Sequence, residues 1–166
     1  KNMDDLILLK QTLTLAKKGL GATNPNPMVG AILVKNGKII GKGYHKKSGL
    51  PHAEIEALNS TSQDPKDSTL YINLEPCSHF GKTPPCSDAI IKAGIKKVIC
   101  ATQDPNPKVH GNSLKKLQQA GIAVSVGLLE KEARLLNETF FTFHEKKRPF
   151  IALKFASSLD GKIATH

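Results

Sequence analysis

Aromatic side chains make up only 5% of this 166-residue chain, cysteines number three, and 14 acids face 24 lysines and arginines, for a formal charge of +10. Each shortage excludes something. Few rings leave little with which to stack flipped bases, which weighs against a nucleic-acid partner. Three unevenly spaced cysteines do not make a disulfide framework. They fit a reducing compartment, where cysteine serves metals or catalysis. No apolar run is long enough to cross a bilayer. The opening KNMDDLILLKQ carries two acids and lacks the apolar core and small-residue cleavage site of a secretory leader. The expectation is a cytoplasmic chain with no membrane and no nucleic-acid partner. The positive charge is scattered in pairs such as Lys17-Lys18, Lys46-Lys47, Lys96-Lys97 and Lys115-Lys116. It reads as a taste for anionic partners or as a basic solvated surface.

The pattern is that of a soluble α/β domain, long enough to bury about two-thirds of its unfolded surface. Leu6, Leu9, Leu13 and Ala16 follow helical spacing over 4–18. VGAILV and KIIGKGY flank Lys35-Asn36-Gly37, and Asn-Gly accepts the positive φ of a tight hairpin turn. A helix begins near His52, and TLYINL (69–74) reads as a buried strand. Then follow the helix SDAIIKAG, the strand KKVICAT, the helix SLKKLQQAG, the strand IAVSVG and a helix over roughly 130–146. Strands separated by helices of about ten residues imply parallel pairing through right-handed crossovers. The fold expected is a three-layer α/β/α sandwich around a mixed five-stranded sheet. Arg148-Pro149 ends the last helix, and FIALKFASSLDGKIATH begins a new strand-and-turn pattern. This divides the chain into a domain at 1–147 and, at 148–166, the truncated start of another.

Three segments carry the chemistry: Pro51-His52-Ala53-Glu54, Glu75-Pro76-Cys77 and Pro84-Pro85-Cys86. Singly, a histidine or a cysteine is more often core or surface than ligand. Together, one imidazole and two thiolates satisfy three tetrahedral positions of zinc and leave the fourth open for water. A closed structural site needs a fourth protein ligand. Cys100 is the one spare cysteine, but VICA is an apolar strand, so it reads as core. His52 and Cys86 are expected to open helices, where positive potential favours thiolate. Glu54 lies two residues past His52, about 200° around a regular helix. At a first turn both can still face one cavity, where a carboxylate moves the proton between water and leaving group.

His-x-Glu followed by Pro-Cys and a second cysteine resembles the signature of the cytidine-deaminase superfamily. Nucleoside and tRNA deaminases usually place two residues between their cysteines; here eight intervene. PCSHFGKTPPC, with NPNPMVGAILV before it and DPNP after it, resembles the deaminase domain of bacterial bifunctional riboflavin-biosynthesis deaminase-reductases. LKFASSLDGKIAT resembles the start of their reductase domain. The resemblance implies one zinc on His52, Cys77 and Cys86, with Glu54 as proton shuttle. It implies NADP(H) only for the missing reductase part. The implied partner is a small-molecule substrate, 2,5-diamino-6-ribosylamino-4(3H)-pyrimidinone 5′-phosphate, whose ring amino group leaves as ammonia. A homo-oligomer is compatible with the sequence. By the same resemblance Asn26 contacts the ring, His45, His79 and Lys82 line the pocket, and Asp104 and Asn106 contact the ribose-phosphate. Each of these six also has an ordinary structural explanation. Asn26, Asp104 and Asn106 fit proline turns, His45 a strand end, His79 an exposed loop and Lys82 a basic surface.

Two other functions share these residues. A tRNA or nucleobase deaminase would use the same metal set and the positive charge. A non-catalytic zinc module would close its metal with a fourth ligand and would not need Glu54.

Overall fold

The structure is a computed structural model that describes residues 3–80 and 84–163, with side chains from residue 5 onward. Its elements in chain order are α1 (Met3–Ala16), a 3-10 turn (Lys17–Gly19), β1 (Gly30–Lys35), β2 (Lys38–Tyr44), α2 (Ala53–Asn59), β3 (Thr69–Ile72), α3 (Cys86–Lys92), β4 (Lys97–Cys100), α4 (Asn112–Gln119), β5 (Ala123–Val126), α5 (Glu130–Leu136) and α6 (Glu138–Lys146). The strands form one mixed sheet in the order β2-β1-β3-β4-β5. β1 is antiparallel to both neighbours, and β3, β4 and β5 run parallel. Asn36 and Gly37 both have positive φ, 51° and 74°, as the tight turn joining β1 to β2 requires.

Side-chain alternation builds the layers, because successive strand residues face opposite sides of a sheet. Ala31, Leu33, Leu70, Ile72, Val98 and Cys100 point to one face and pack with Ala53, Ala57, Ile90 and Leu117 of α2, α3 and α4. Ile32, Tyr71 and Ile99 point to the other and pack with Leu9 of α1 and Ala133 of α5. Cys100 is fully buried among apolar neighbours, as its strand pattern predicts. The Tyr71 hydroxyl donates to the Asp5 carboxylate at 2.6 Å and ties α1 down.

Three expectations are corrected. The strand over 69–74 ends at Ile72, because Asn73 meets β1 through its side chain: its Oδ1 accepts the Gly30 amide at 2.8 Å. The helix over 130–146 is two helices, broken at Asn137, whose side chain is occupied by the backbone of Met28. Beyond Lys147, a left-handed C-cap, residues 148–163 form no strand and their side chains are exposed. The turn expected there does form: the Gly161 amide donates to the Ser158 carbonyl at 2.9 Å. Among the described residues no helix is long and apolar enough to cross a membrane.

Candidate active site

The site lies beyond the C-terminal ends of β3 and β4. His52 is the N-cap of α2, in extended conformation (φ −73°, ψ 166°), and Cys86 is the first residue of α3. Both open helices, as expected. What brings α2 close enough is glycine in β2. A Cβ at Gly43 would fall 2.3 Å from the Ala57 amide nitrogen and 2.4 Å from the Ala53 carbonyl oxygen. Any side chain there would push away the helix that carries His52 and Glu54.

One face of the site gathers the metal set. His52 Nδ1 lies 3.6 Å from Cys77 Sγ and 3.3 Å from Cys86 Sγ, and the three candidate donor atoms lie within 4.8 Å of one another. Zinc–nitrogen bonds of about 2.0–2.1 Å and zinc–sulfur bonds of about 2.3 Å at a tetrahedral angle put such donors about 3.5 Å apart. The residues therefore fit zinc in donor type and in spacing. The Cys86 amide also donates to Cys77 Sγ at 3.2 Å, supporting a thiolate there.

Electrostatics agree with a cation site. The Cys77 thiol is drawn down to about 4, first by the hydrogen bond from Cys86 and then by His52. Cys86 is pushed up by the same contact and by burial. A bound cation would favour the thiolate form of both sulfurs. His52 is raised, chiefly by its contact with Cys77. Glu54 is 3% exposed, and burial first, then the Cys77 charge, raises its carboxyl to about 7. A carboxyl poised there can hold or release a proton at neutral pH.

The facing wall is polar. Asn26, His45, His52, Glu54, Cys77, His79, Asp104 and Asn106 border one cavity of about 280 Å³, while Cys86 is buried behind it. The resemblance-derived positions thus converge, apart from Lys82, which lies outside the described residues. His45 is buried, and burial lowers its pKa. Its Nδ1 lies 3.1 Å from the Pro51 carbonyl, which can only accept, so Nδ1 carries the proton and Nε2 accepts from the Asn26 amide at 3.1 Å. That polarity leaves Asn26 Oδ1 as an acceptor. Asp104 Oδ1 accepts the Asn106 amide at 2.7 Å. Burial raises the Asp104 carboxyl to about 7, against the lowering from Asn106.

Sequence reasoning missed three contributors. Phe140 of α6 borders the cavity; it lies more than fifty residues from the nearest ligand segment. Asn137 clamps Met28, two residues past Asn26, by accepting its amide at 2.8 Å and donating to its carbonyl at 2.9 Å. Glu75 is buried under the loop that holds Asp104. Only Glu75 left a sequence signal, its place in Glu75-Pro76-Cys77.

Fold and donor chemistry together define a zinc-dependent deaminase. The chain belongs to the cytidine and deoxycytidylate deaminase family, whose zinc-binding region matches residues 3–102. Over more of its length it is similar to riboflavin biosynthesis protein RibD of Aquifex aeolicus, 58% identical over 157 residues, which are 95% of this chain and 44% of that protein. It is likewise similar to the crystal structure of a diaminohydroxyphosphoribosylaminopyrimidine deaminase/5-amino-6-(5-phosphoribosylamino)uracil reductase from Thermotoga maritima. That similarity is 52% identity with a TM-score of 0.92, over 98% of this chain and 47% of the other. RibD of Acinetobacter baumannii gives 46% identity and a TM-score of 0.92, over 95% and 44%. The chain spans less than half the length of these relatives.

Proposed function

We propose that this chain hydrolyses 2,5-diamino-6-ribosylamino-4(3H)-pyrimidinone 5′-phosphate to 5-amino-6-ribosylaminouracil 5′-phosphate and ammonia, a step of riboflavin biosynthesis. The observation that carries the reading is the convergence of His52, Cys77 and Cys86 beside buried Glu54, in a cavity whose far wall holds Asn26, Asp104 and Asn106. The deaminase named in the Thermotoga relative, similar over 98% of this chain, supports the substrate.

His52 Nδ1 and the sulfurs of Cys77 and Cys86 would hold the metal. Zinc bound by three protein ligands supplies a Lewis acid that makes water nucleophilic near neutral pH. Glu54 takes the proton of the attacking water on its carboxylate and returns it to the leaving amino nitrogen, which departs as ammonia. Asn26 Oδ1, turned outward by the His45 relay, accepts from a ring N–H. Asp104, Asn106, His79 and Lys82 take the ribose-phosphate end. Residues 1–147 form the deaminase domain, and 148–166 open a reductase domain for which NADP(H) is the cofactor. The relatives of more than twice this length support that division.

The test is ammonia release by the purified, zinc-loaded protein. Turnover of the ribotide in preference to cytidine, deoxycytidylate and tRNA is expected. Release from one of the latter, and none from the ribotide, would replace the substrate assignment.

A further inference from the structure

Glu75 is 4% exposed, and among the described residues its carboxylate takes its hydrogen bonds from the 104–113 segment. Oε2 accepts the amides of Asp104 at 3.1 Å and Gly111 at 2.9 Å. Oε1 accepts the Ser113 hydroxyl at 2.7 Å. The Glu75 amide donates to the Thr102 carbonyl at 3.0 Å. One oxygen thus bridges the first and last residues of the 104–111 loop and closes it. The other holds the first turn of α4.

Within the loop the contacts are local. Asp104 Oδ1 accepts from the Asn106 amide, and the Asn106 carbonyl accepts the amides of Val109 at 2.8 Å and His110 at 3.0 Å. These bonds shape the loop but do not fix where it sits. Glu75 fixes that, from a position two residues before Cys77. A buried carboxylate is expensive to desolvate and adds little net stability over apolar packing of the same volume. What it adds is geometry, since two amides and a hydroxyl must meet it together.

We infer that Glu75 is a positioning residue that sets the distance between the metal face and the 104–111 loop, and so selects substrates carrying a ribose-phosphate of matching length. This rests on the function proposed above. The reacting ring lies at Glu54 and Cys77, and the anionic end lies at Asp104 and Asn106. Glu75, which itself borders the cavity, spans the two through its backbone on one side and its carboxylate, engaged by the loop, on the other.

The experiment compares ribotide and dephosphorylated nucleoside in wild type, Glu75→Ala, Glu75→Gln and Ser113→Ala, each at one zinc equivalent. In Glu75→Ala the ribotide KM should rise about 10-fold or more, with kcat changed little. The nucleoside kcat/KM should hold within about 3-fold. Hydrogen exchange of the 104–111 amides should quicken, while the Ser87 amide, bonded to the Cys77 carbonyl, keeps its protection. Glu75→Gln should restore the ribotide KM, since its carbonyl oxygen can accept both amides and its amino group can donate to Ser113 Oγ. Ser113→Ala should raise the ribotide KM by a smaller factor. Equal losses for ribotide and nucleoside, or Glu75→Gln behaving like Glu75→Ala, overturn the inference. Should Glu75→Ala fail to fold, Ser113→Ala and Glu75→Gln decide by the same substrate ratio. Wild type inert on the ribotide brings down the functional reading and this inference with it. An active wild type with parallel losses in the variants brings down the inference alone.

Discussion

The cavity has two walls built in different ways. Two of the three ligands of the metal wall stand on regular structure: His52 is the N-cap of α2, Cys86 opens α3, and both helices are packed into the core beneath the sheet, while Cys77 lies between β3 and α3. The facing wall is made of turns, 24–28 and 104–111, and depends on buried polar side chains reaching in from elsewhere: Asn73, Glu75 and Asn137. The first wall specifies chemistry, because only certain atoms bind a cation. The second specifies position, and many residue types can do that. The two walls should therefore fail differently when broken.

Breaking the metal wall should have the largest effect. Cys77→Ser and Cys86→Ser each remove a soft thiolate from a three-ligand set. Elemental analysis should show the single zinc equivalent lost, with activity below detection. A full zinc complement in both variants would mean the ligands lie elsewhere. Glu54→Gln comes next. It keeps the ligands but loses the proton carrier, so zinc should stay while kcat drops by roughly 10²–10⁴-fold. Turnover near wild type would move the shuttle to another group.

The same contrast governs what was legible beforehand. His52, Glu54, Cys77 and Cys86 could be found because metal and proton chemistry admit few residue types at few spacings. Asn36-Gly37 was legible because its turn demands positive φ. The strands showed as short apolar runs such as VGAILV, TLYINL and KKVICAT between turn and helix signals. The second wall did not show itself. Nothing in the local sequence around Asn137 marks it as the partner of Met28, 109 residues away, and the helical pattern on both sides hid the break. Glu75 looked like part of a cysteine motif, and its partners lie 29 to 38 residues downstream. The strand expected after Pro149 is absent from residues 148–163. A strand needs a neighbour to take its backbone hydrogen bonds, and alternating apolar residues do not supply one.

Asn137→Ala tests the positioning wall directly. It leaves the Met28 amide without its acceptor, while the Met28 carbonyl keeps Asn73 Nδ2 at 3.1 Å. The amide is only partly buried, so its loss of an acceptor should cost about 1 kcal/mol, the low end of the range for an unsatisfied donor, readable as a lower urea midpoint. Because Asn26 sits two residues from the clamp, substrate KM should rise while zinc content holds. Loss of zinc in this variant would show that the walls are not separable.

The smallest expected effect asks whether the walls speak to each other through charge. Asp104 belongs to the positioning wall, yet its carboxyl is raised from 3.8 to about 7, first by burial and also by Glu75 and the Cys77 thiolate, with His110 opposing. The sign follows from linkage. Between those two values the folded chain holds a proton that the unfolded chain has released, so this group's contribution to stability falls as pH rises from about 4 to about 7 and is flat outside that window. Asp104→Asn keeps an oxygen for the Asn106 amide and removes the titration. Relative to wild type, the variant should therefore gain stability steadily between pH 5 and 7. Asp104 borders the cavity, whose water softens its burial, so the expected gain is about 1–2 kcal/mol, against roughly 4 for a dry site. A cation on His52, Cys77 and Cys86 offsets the thiolate charge that Asp104 feels, and favours its ionised form. Urea titrations at each pH, with zinc and after chelation, should show the variant's gain steeper in the metal-free protein. A gain independent of pH would mean that Asp104 titrates as an ordinary carboxylate. A pH-dependent gain unchanged by chelation would mean that burial alone sets it and that charge on the metal wall does not reach across the cavity.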